Sequence, residues 1–277
     1  MKKIVFISDF YVHDLNGGGE SNDFNLIKFL GVNHDVHGYK SNHVSIDNLK
    51  EADTIIVSNF VLLPDPVKQF LIDHCSYIIY EHDHKYVKTR DPSKFKDFVI
   101  PEPSLVNQKF YENSKKTVVL SKICKDVLNK NLPRVDVANI GCSLWSEEKF
   151  KLLKQLCKTP KQDKVCIMQS NNPTKNFPQT LDFCKRNKIN CEPITSPDPL
   201  QFLTLMSQYK TFLFIPSVLE TFSRICAEAK MMNLEVMTNK KMIGFFSEES
   251  SSLQGLELIE KMEEKNNEAF AMFAGLM

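Results

Sequence analysis

At 277 residues, with 42% hydrophobic and 25% charged side chains, the chain has the make-up of an ordinary globular protein and enough length for two modest domains. A formal net charge of +1 excludes a global field that would draw in nucleic acid or an anionic membrane, leaving only local patches for either task. No apolar run approaches membrane-spanning length, and the first one, residues 4–7, is too short for a secretory signal before Asp9 interrupts it, so it reads as a first strand.

Eight cysteines contain no C-x-x-C pair, and several sit in apolar strand or helix patterns. They read as reduced core thiols of a cytoplasmic protein rather than a disulfide framework. Short apolar runs alternate with helical patterns along the chain. The strands are predicted at 3–8, 35–38, 54–57, 77–80, 117–120, 135–138, 165–168, 190–193, 211–215 and 234–237. Helices are predicted at 21–30, 65–73, 105–113, 121–129, 176–187, 200–208 and 223–232. Strand–helix alternation of this kind predicts an α/β fold of two Rossmann-like domains with parallel sheets. The alternation pauses at 146–163, a polar, lysine-rich helix followed by a Thr-Pro turn, which reads as an interdomain connector. The expected division is therefore a first domain at 1–145, that connector, a second domain at 164–249, and a helical tail at 250–277 that packs back.

In open parallel sheets, ligands bind where strands end and loops lead into helices. Four such loops carry chemistry. The first, "SDFYVHDLNGGGE", holds Gly17, Gly18 and Gly19, whose backbone can approach a ligand; Asn22 stands where a dinucleotide fingerprint needs its third glycine. The second, "IIYEHDHKYVKTRDP", clusters Glu81, His82, Asp83 and His84 at a strand end. His82 and His84 are open there to three readings: solvated histidines, a substrate contact at His82, or a zinc site with His74 or Cys75. Zinc is the least favoured, and no metal site is assigned. The third, "CIMQSNNPTKNFPQ", puts Lys175 near a helix start, where a cation suits a bound anion. The fourth, "FLFIPSVLETFSRICAEAKMM", sets Glu220 before a helix that Thr221 and Ser223 can cap. It sets Glu228 about 12 Å further on if the rise is helical throughout, with Ile225, Ala229 and Met232 as the apolar stripe.

The segment "PSVLETFSRICAEA" resembles the E-x7-E segment of GT-B glycosyltransferases, especially the retaining family called GT4. "NGGGE" is similar to that family's glycine-rich acceptor-side loop, "YEHDH" to its first-domain histidine loop, and "QSNNPTKN" to its phosphate-binding loop. The resemblance implies two sheets facing a central cleft. It also implies roles. Glu220 holds donor-sugar hydroxyls near the reacting carbon, and Glu228 binds the ribose. Lys175 and the backbone of Thr221, Phe222 and Ser223 hold the diphosphate, and His82 faces the sugar. Ser170 and Asn171 lie where the family often has an arginine, whose charge Arg224 would then supply. Gly17, Gly18, Gly19, Asp83 and His84 fall on the acceptor side.

The function so implied is transfer of a hexose or pentose from a nucleoside diphosphate sugar to an acceptor hydroxyl, with retention and with no cofactor beyond the donor. No Asp-x-Asp occurs in the chain, which disfavours the metal-dependent transferase architecture. A composition rich in lysine and asparagine and poor in alanine and glycine, as in AT-rich genomes, admits a viral or phage source. Acceptors then include a hydroxymethylated DNA base besides a glycan, lipid or protein, and the basic, aromatic-bearing stretch "HKYVKTRDPSKFK" would touch DNA phosphates. The alternative of another class is a two-domain sugar or nucleotide binder without turnover. The oligomeric state is open.

Overall fold

Continuous apolar runs bounded by polar turns make strands that are buried on both faces, the condition of a parallel sheet flanked by helices. The computed structural model describes residues 1–277. Its first unit comprises Met1–Trp145 and Lys265–Met277. In chain order it runs β1 (Lys3–Ser8), α1 (Gly18–Leu30), β2 (Asp35–Lys40), α2 (Ile46–Lys50), β3 (Thr54–Val57), α3 (Asp65–His74), β4 (Tyr77–Tyr80), α4 (Gln108–Glu112), β5 (Lys116–Val119), α5 (Lys122–Asn131) and β6 (Val137–Asn139). The six strands are all parallel, in the order β2-β1-β3-β4-β5-β6. Ile4, Val5, Phe6 and Ile7 of β1 and Ile55, Ile56 and Val57 of β3 are buried, whereas the edge strand β2 is half-exposed and polar.

The second unit, Ser146–Glu264, runs α6 (Glu147–Leu156), β7 (Gln162–Met168), α7 (Phe177–Arg186), β8 (Cys191–Ile194), α8 (Pro199–Met206), β9 (Tyr209–Leu213), α9 (Arg224–Met231) and β10 (Glu235–Met237). Its four strands are also parallel, in the order β10-β9-β7-β8. Three 3-10 turns between Lys240 and Ser252 lead to the long α10 (Gly255–Leu276), whose residues divide between the units after Glu264. In the first unit the last turns of α10 pack back. Phe270 stacks on Phe29 at 4.3 Å, Phe273 meets Tyr80 at 5.0 Å, and the Asn266 side chain exchanges hydrogen bonds with the backbone of Trp145.

Several expectations change in detail. The first helix begins at Gly18 rather than residue 21, because Gly17 serves as its N-cap and Gly18 and Gly19 form its first turn. The helix expected at 105–113 shortens to α4, preceded by a 3-10 turn. The stretch 146–163, read as a connector, holds α6, capped by the Ser146 hydroxyl and burying Phe150, Leu153 and Leu156 within the second unit, and then the start of β7. An apolar face every three to four residues outweighed its lysines. The tail begins with 3-10 turns and becomes helical only at Gly255.

Gly255 has φ +59°, and a Cβ there would stand 2.4 Å from Asn233 Oδ1, whose amide is itself held to the Cys157 carbonyl at 3.0 Å. Gly255→Ala should therefore lower stability by about 1–3 kcal/mol in denaturant unfolding. Gly275→Ala, with no heavy atom within 4 Å of the added methyl, should stay within about 0.5 kcal/mol of the parent or exceed it.

Candidate functional site

A parallel sheet opens a crevice where the chain reverses its direction of strand addition. In the first unit β1 has β2 on one side and β3 on the other; in the second, β7 has β8 on one side and β9 on the other. The loops after β1 and β3, and those after β7 and β9, thus flank the two switch points. Most of the residues singled out from the sequence lie on these loops or on the loop after β4.

At the first switch point one carboxylate does most of the organising. Asp23, on α1 and fully buried, accepts from Ser8 Oγ at 2.9 Å, Ser58 Oγ at 2.7 Å and His82 Nε2 at 3.0 Å. These three donors sit at the carboxyl ends of β1, β3 and β4, which are neighbours in the sheet. Asp9 fixes the next layer: its carboxylate accepts from the Val61 and Leu62 amides at 2.9 and 3.0 Å and from the Ser41 hydroxyl. On the other side of α1, Asn22 Oδ1 accepts from Ser143 Oγ at 2.6 Å and from the Leu144 amide at 2.7 Å.

The loop after β4 is anchored by a second buried carboxylate. Glu81 pairs with Lys85 Nζ at 2.8 Å, accepts from the Asp83 amide at 2.7 Å and takes the Tyr111 hydroxyl. Lys85 also reaches Asn59 Oδ1 at 3.2 Å and lies over the Phe60 ring. Burial alone would push the Glu81 carboxyl up, but the Lys85 charge and the hydrogen bonds outweigh it and hold the group down at about 2. Nearby, burial raises Glu20 above the ordinary carboxylate range, against the lowering influence of His82.

His82 is therefore where the sequence placed it, on the loop after β4, with its ring held by Asp23 and set 4.2 Å from the Tyr80 ring. His84 is not on a ligand-facing surface. It is 1% exposed, its Nδ1 lies 3.0 Å from the Tyr86 hydroxyl, and its Nε2 lies 3.9 Å from Cys124 Sγ, which fills both ring nitrogens inside the unit. Asp83 is half-exposed and faces Arg90 at 3.5 Å. Gly17 is a close-approach glycine: a Cβ would stand 2.0 Å from Glu20 Oε2. Gly18 continues the first turn of α1, and Gly19 lies against the His82 ring. The zinc arrangement fails on geometry. His74 and Cys75 precede β4 and His82 follows it, so the strand separates them by roughly 20 Å. No group of three or more His, Cys, Asp or Glu side chains is disposed to hold a metal ion.

At the second switch point the structure brings Lys175 and Glu220 together, with Nζ 2.8 Å from Oε1. Lys175 ends a 3-10 turn, Pro173–Lys175, that Asn172 caps through the Thr174 amide. The turn docks on the loop after β9, where Ser217 N donates to the Thr174 carbonyl at 3.0 Å and Asn176 Nδ2 to the Ile215 carbonyl at 3.1 Å. Ser170 Oγ accepts the Asn172 amide, and Asn171 is exposed. Glu220 is held through its backbone, donating to the Met242 carbonyl and accepting from the Gly244 amide, both at 2.9 Å. Phe222 is buried against Phe245, and Thr221, which precedes it in the chain, is half-buried.

Ser223 is the N-cap of α9 but makes no side-chain cap: its φ of +67° is left-handed, whereas capping by a serine hydroxyl needs extended backbone. Only Arg224 onward is helical, so Glu228 lies about 6 Å along α9, and the loop, not helical rise, sets its spacing from Glu220. Glu228 is 5% exposed with Arg224 Nη2 at 3.9 Å from its Oε1. The buried face of α9 is Cys226, Ala227, Ala229 and Met231 together with that glutamate, while Ile225 is only half-buried.

Chemically, the second unit offers a cation and an acid in contact at a strand end and a second buried acid one turn into the following helix. A lysine there suits a phosphate, and carboxylates suit hydroxyl donors. The residues the sequence reading missed are Asp23, Asp9 and Glu20. A signal was present for two of them: the apolar stripe Leu30, Leu26 on α1, carried back in steps of three to four, lands on Asp23 and then Glu20.

No protein-family model matches the chain, and no curated protein sequence does. Solved structures do resemble it. An α-glucosyltransferase, solved with UDP and a 13-mer DNA containing an HMU base, superposes with a TM-score of 0.53 at 10% identity over 98% of this chain and 90% of that one. Sucrose-phosphate synthase from Thermosynechococcus elongatus superposes with a TM-score of 0.54 at 10% identity over 86% of this chain and 81% of that one. At such identity the likeness establishes the fold: two parallel-sheet α/β domains with a helical C-terminus, as in GT-B glycosyltransferases.

The buried Glu81 yields a pH prediction. Its folded-state value is depressed from 4.5 to about 2, so its contribution to stability is complete above about pH 4.5 and is lost as pH falls toward 2. The parent should lose about 3 kcal/mol from this group across that window. Glu81→Gln should be less stable at pH 7 and show a flatter acid limb in urea titrations between pH 5 and 2.5, both roughly at the scale of a broken buried pair.

Proposed function

We propose that this chain is a glycosyltransferase that moves a sugar from a nucleoside diphosphate sugar to an acceptor hydroxyl, with retention and without a metal. The observation that carries the reading is the Lys175–Glu220 contact at the second unit's switch point, with Glu228 buried on the next helix. Departure of the diphosphate builds negative charge on the leaving oxygen. Lys175 and the backbone around Thr221–Ser223 are the groups to stabilise it, with Arg224 as the further cation. Glu220 then takes hydroxyls of the donor sugar, and Glu228 the ribose. His82, in the first unit, is the group for a hydroxyl of the reacting sugar. The lysine supplies the charge that a metal supplies in the Asp-x-Asp architecture, and retention follows the family resemblance. A uridine nucleotide is the first donor base to test, since the neighbouring α-glucosyltransferase was solved with UDP.

For the acceptor, DNA is favoured by one observation. The loop after β4 exposes Lys88, Arg90, Lys94 and Lys96, and it is long, with left-handed backbone at His84, Arg90, Asp97 and Phe98. Long structured loops at the ligand end of a sheet are usually functional, and strained backbone clusters there. The α-glucosyltransferase neighbour was solved with DNA.

Transfer assayed with a panel of nucleotide sugars tests the activity; binding without turnover for every donor and acceptor would favour a non-catalytic binder. Lys175→Ala should lower kcat by roughly a hundredfold or more with a smaller change in donor Kd; equal losses would assign it to binding alone. Glu228→Ala should weaken UDP binding by about 1.5–3 kcal/mol, roughly 10- to 150-fold by calorimetry. If DNA is the acceptor, its affinity should fall steeply between 50 and 200 mM salt, by roughly a thousandfold for about six phosphate contacts. Absence of binding at low salt removes that acceptor.

A further inference from the structure

On the transferase reading, on which this inference rests, we propose that Glu20 is the acceptor-side base: its carboxylate accepts from the acceptor hydroxyl and takes the proton as that oxygen bonds the sugar. Glu20 is a buried acid that the protein leaves unmatched. Asp9, Asp23 and Glu81, buried at the same end of the first sheet, each collect three or more donors. Glu20 is 7% exposed, yet no other residue donates to it, and its own backbone amide is the one group that does. A carboxylate taken out of water without donors costs stability, so one kept there suits a ligand that brings a donor.

The carboxyl is placed to meet such a ligand. Glu20 stands in the first turn of α1, behind the loop after β1. Its side chain folds back over Gly17 so closely that a Cβ there would overlap Oε2. Gly17 is flanked in the chain by the exposed Asn16 and Gly18. Neither Glu20 oxygen belongs to the sealed, unmatched polar atoms of the fold, so the carboxyl opens at the rim of the loop rather than into the core. Burial raises the group above the ordinary carboxylate range; Asp23 and Asp83 add to the rise, while its own amide and His82 oppose it. That direction is the one a general base working near neutral pH requires. In the step, the acceptor oxygen bonds the anomeric carbon. The bond from that carbon to the diphosphate breaks, its electron pair leaving on the phosphate oxygen. The hydroxyl proton passes to Glu20 and then to water.

The first readout needs no substrate. Carboxyl 13C NMR on the full chain, with Glu20 assigned by difference against Glu20→Gln, should show it titrating above the ordinary carboxylate range. Gly17→Ala, whose methyl displaces the flexible end of Glu20, should bring it back toward that range. A raised acid costs stability as pH rises from 4.5 through its folded-state value, so Glu20→Gln should melt no lower than the parent at pH 7. A glutamate kept only to complement the helix terminus would melt lower once replaced. In transfer from UDP-glucose to duplex DNA bearing a hydroxymethylated base, Glu20→Gln should lower kcat roughly a hundredfold and erase the acid limb of the pH profile, with UDP Kd unchanged. Gly17→Ala should lose activity in the same direction, and it decides if Glu20→Gln fails to fold. A Glu20 that titrates as an ordinary carboxyl, or a Glu20→Gln variant with the parental rate and profile, would overturn the assignment and leave the transferase reading standing. A parent that transfers no sugar from any donor would defeat that reading and this role together.

Discussion

Three strand ends converge on a single buried carboxylate. Ser8, Ser58 and His82 terminate β1, β3 and β4, and each donates to Asp23. A carboxylate out of water must be met by donors or it costs several kcal/mol, so each of these bonds constrains the others. The ligand end of the first sheet inherits its shape from this requirement. Asp9 and Glu81 repeat the device on either side, the first collecting the Val61 and Leu62 amides and the second the Lys85 ammonium. The loops at this end of the sheet are thereby tied to buried acids.

The second unit solves the same problem with a different balance. There Glu220 meets Lys175 while its loop is held by backbone bonds to Met242 and Gly244, and Glu228 lies at 3.9 Å from Arg224. An ion pair at the switch point of a parallel sheet stands where ligands bind in such sheets. Ser223 adds backbone strain at the mouth of α9, in a conformation that glycine adopts freely and serine does not. The Lys175–Glu220 pair at the second switch point is the ground on which donor binding to that unit is proposed.

Much of the architecture was legible because parallel strands announce themselves as short apolar runs. All ten strands were anticipated, the largest shifts being at β7 and β9. What was missed has a common cause. Helix α2 is five residues with a single buried leucine, too short for a periodic signal. The helix at 146–163 was anticipated, but its lysines suggested a connector, whereas Phe150, Leu153 and Leu156 pack α6 within the second unit. In the proposed site, Glu220 and Glu228 were singled out by their spacing across a strand–turn–helix and Lys175 by its place near a helix start, all local signals. Asp23 was not, because its partners are 15, 35 and 59 residues away and no local pattern encodes them. His84 was over-read for the converse reason: a histidine at a strand end looks available until Tyr86 and Cys124 are seen around it.

The central claim is that the loops after β7 and β9 bind the diphosphate of an activated sugar. A crystal structure of the chain with UDP-glucose tests it most directly. Phosphate oxygens are expected within about 3 Å of Lys175 Nζ, with the ribose hydroxyls on the Glu228 carboxylate. Ordered nucleotide bound elsewhere, with the Lys175–Glu220 contact intact and its surroundings empty, would contradict it.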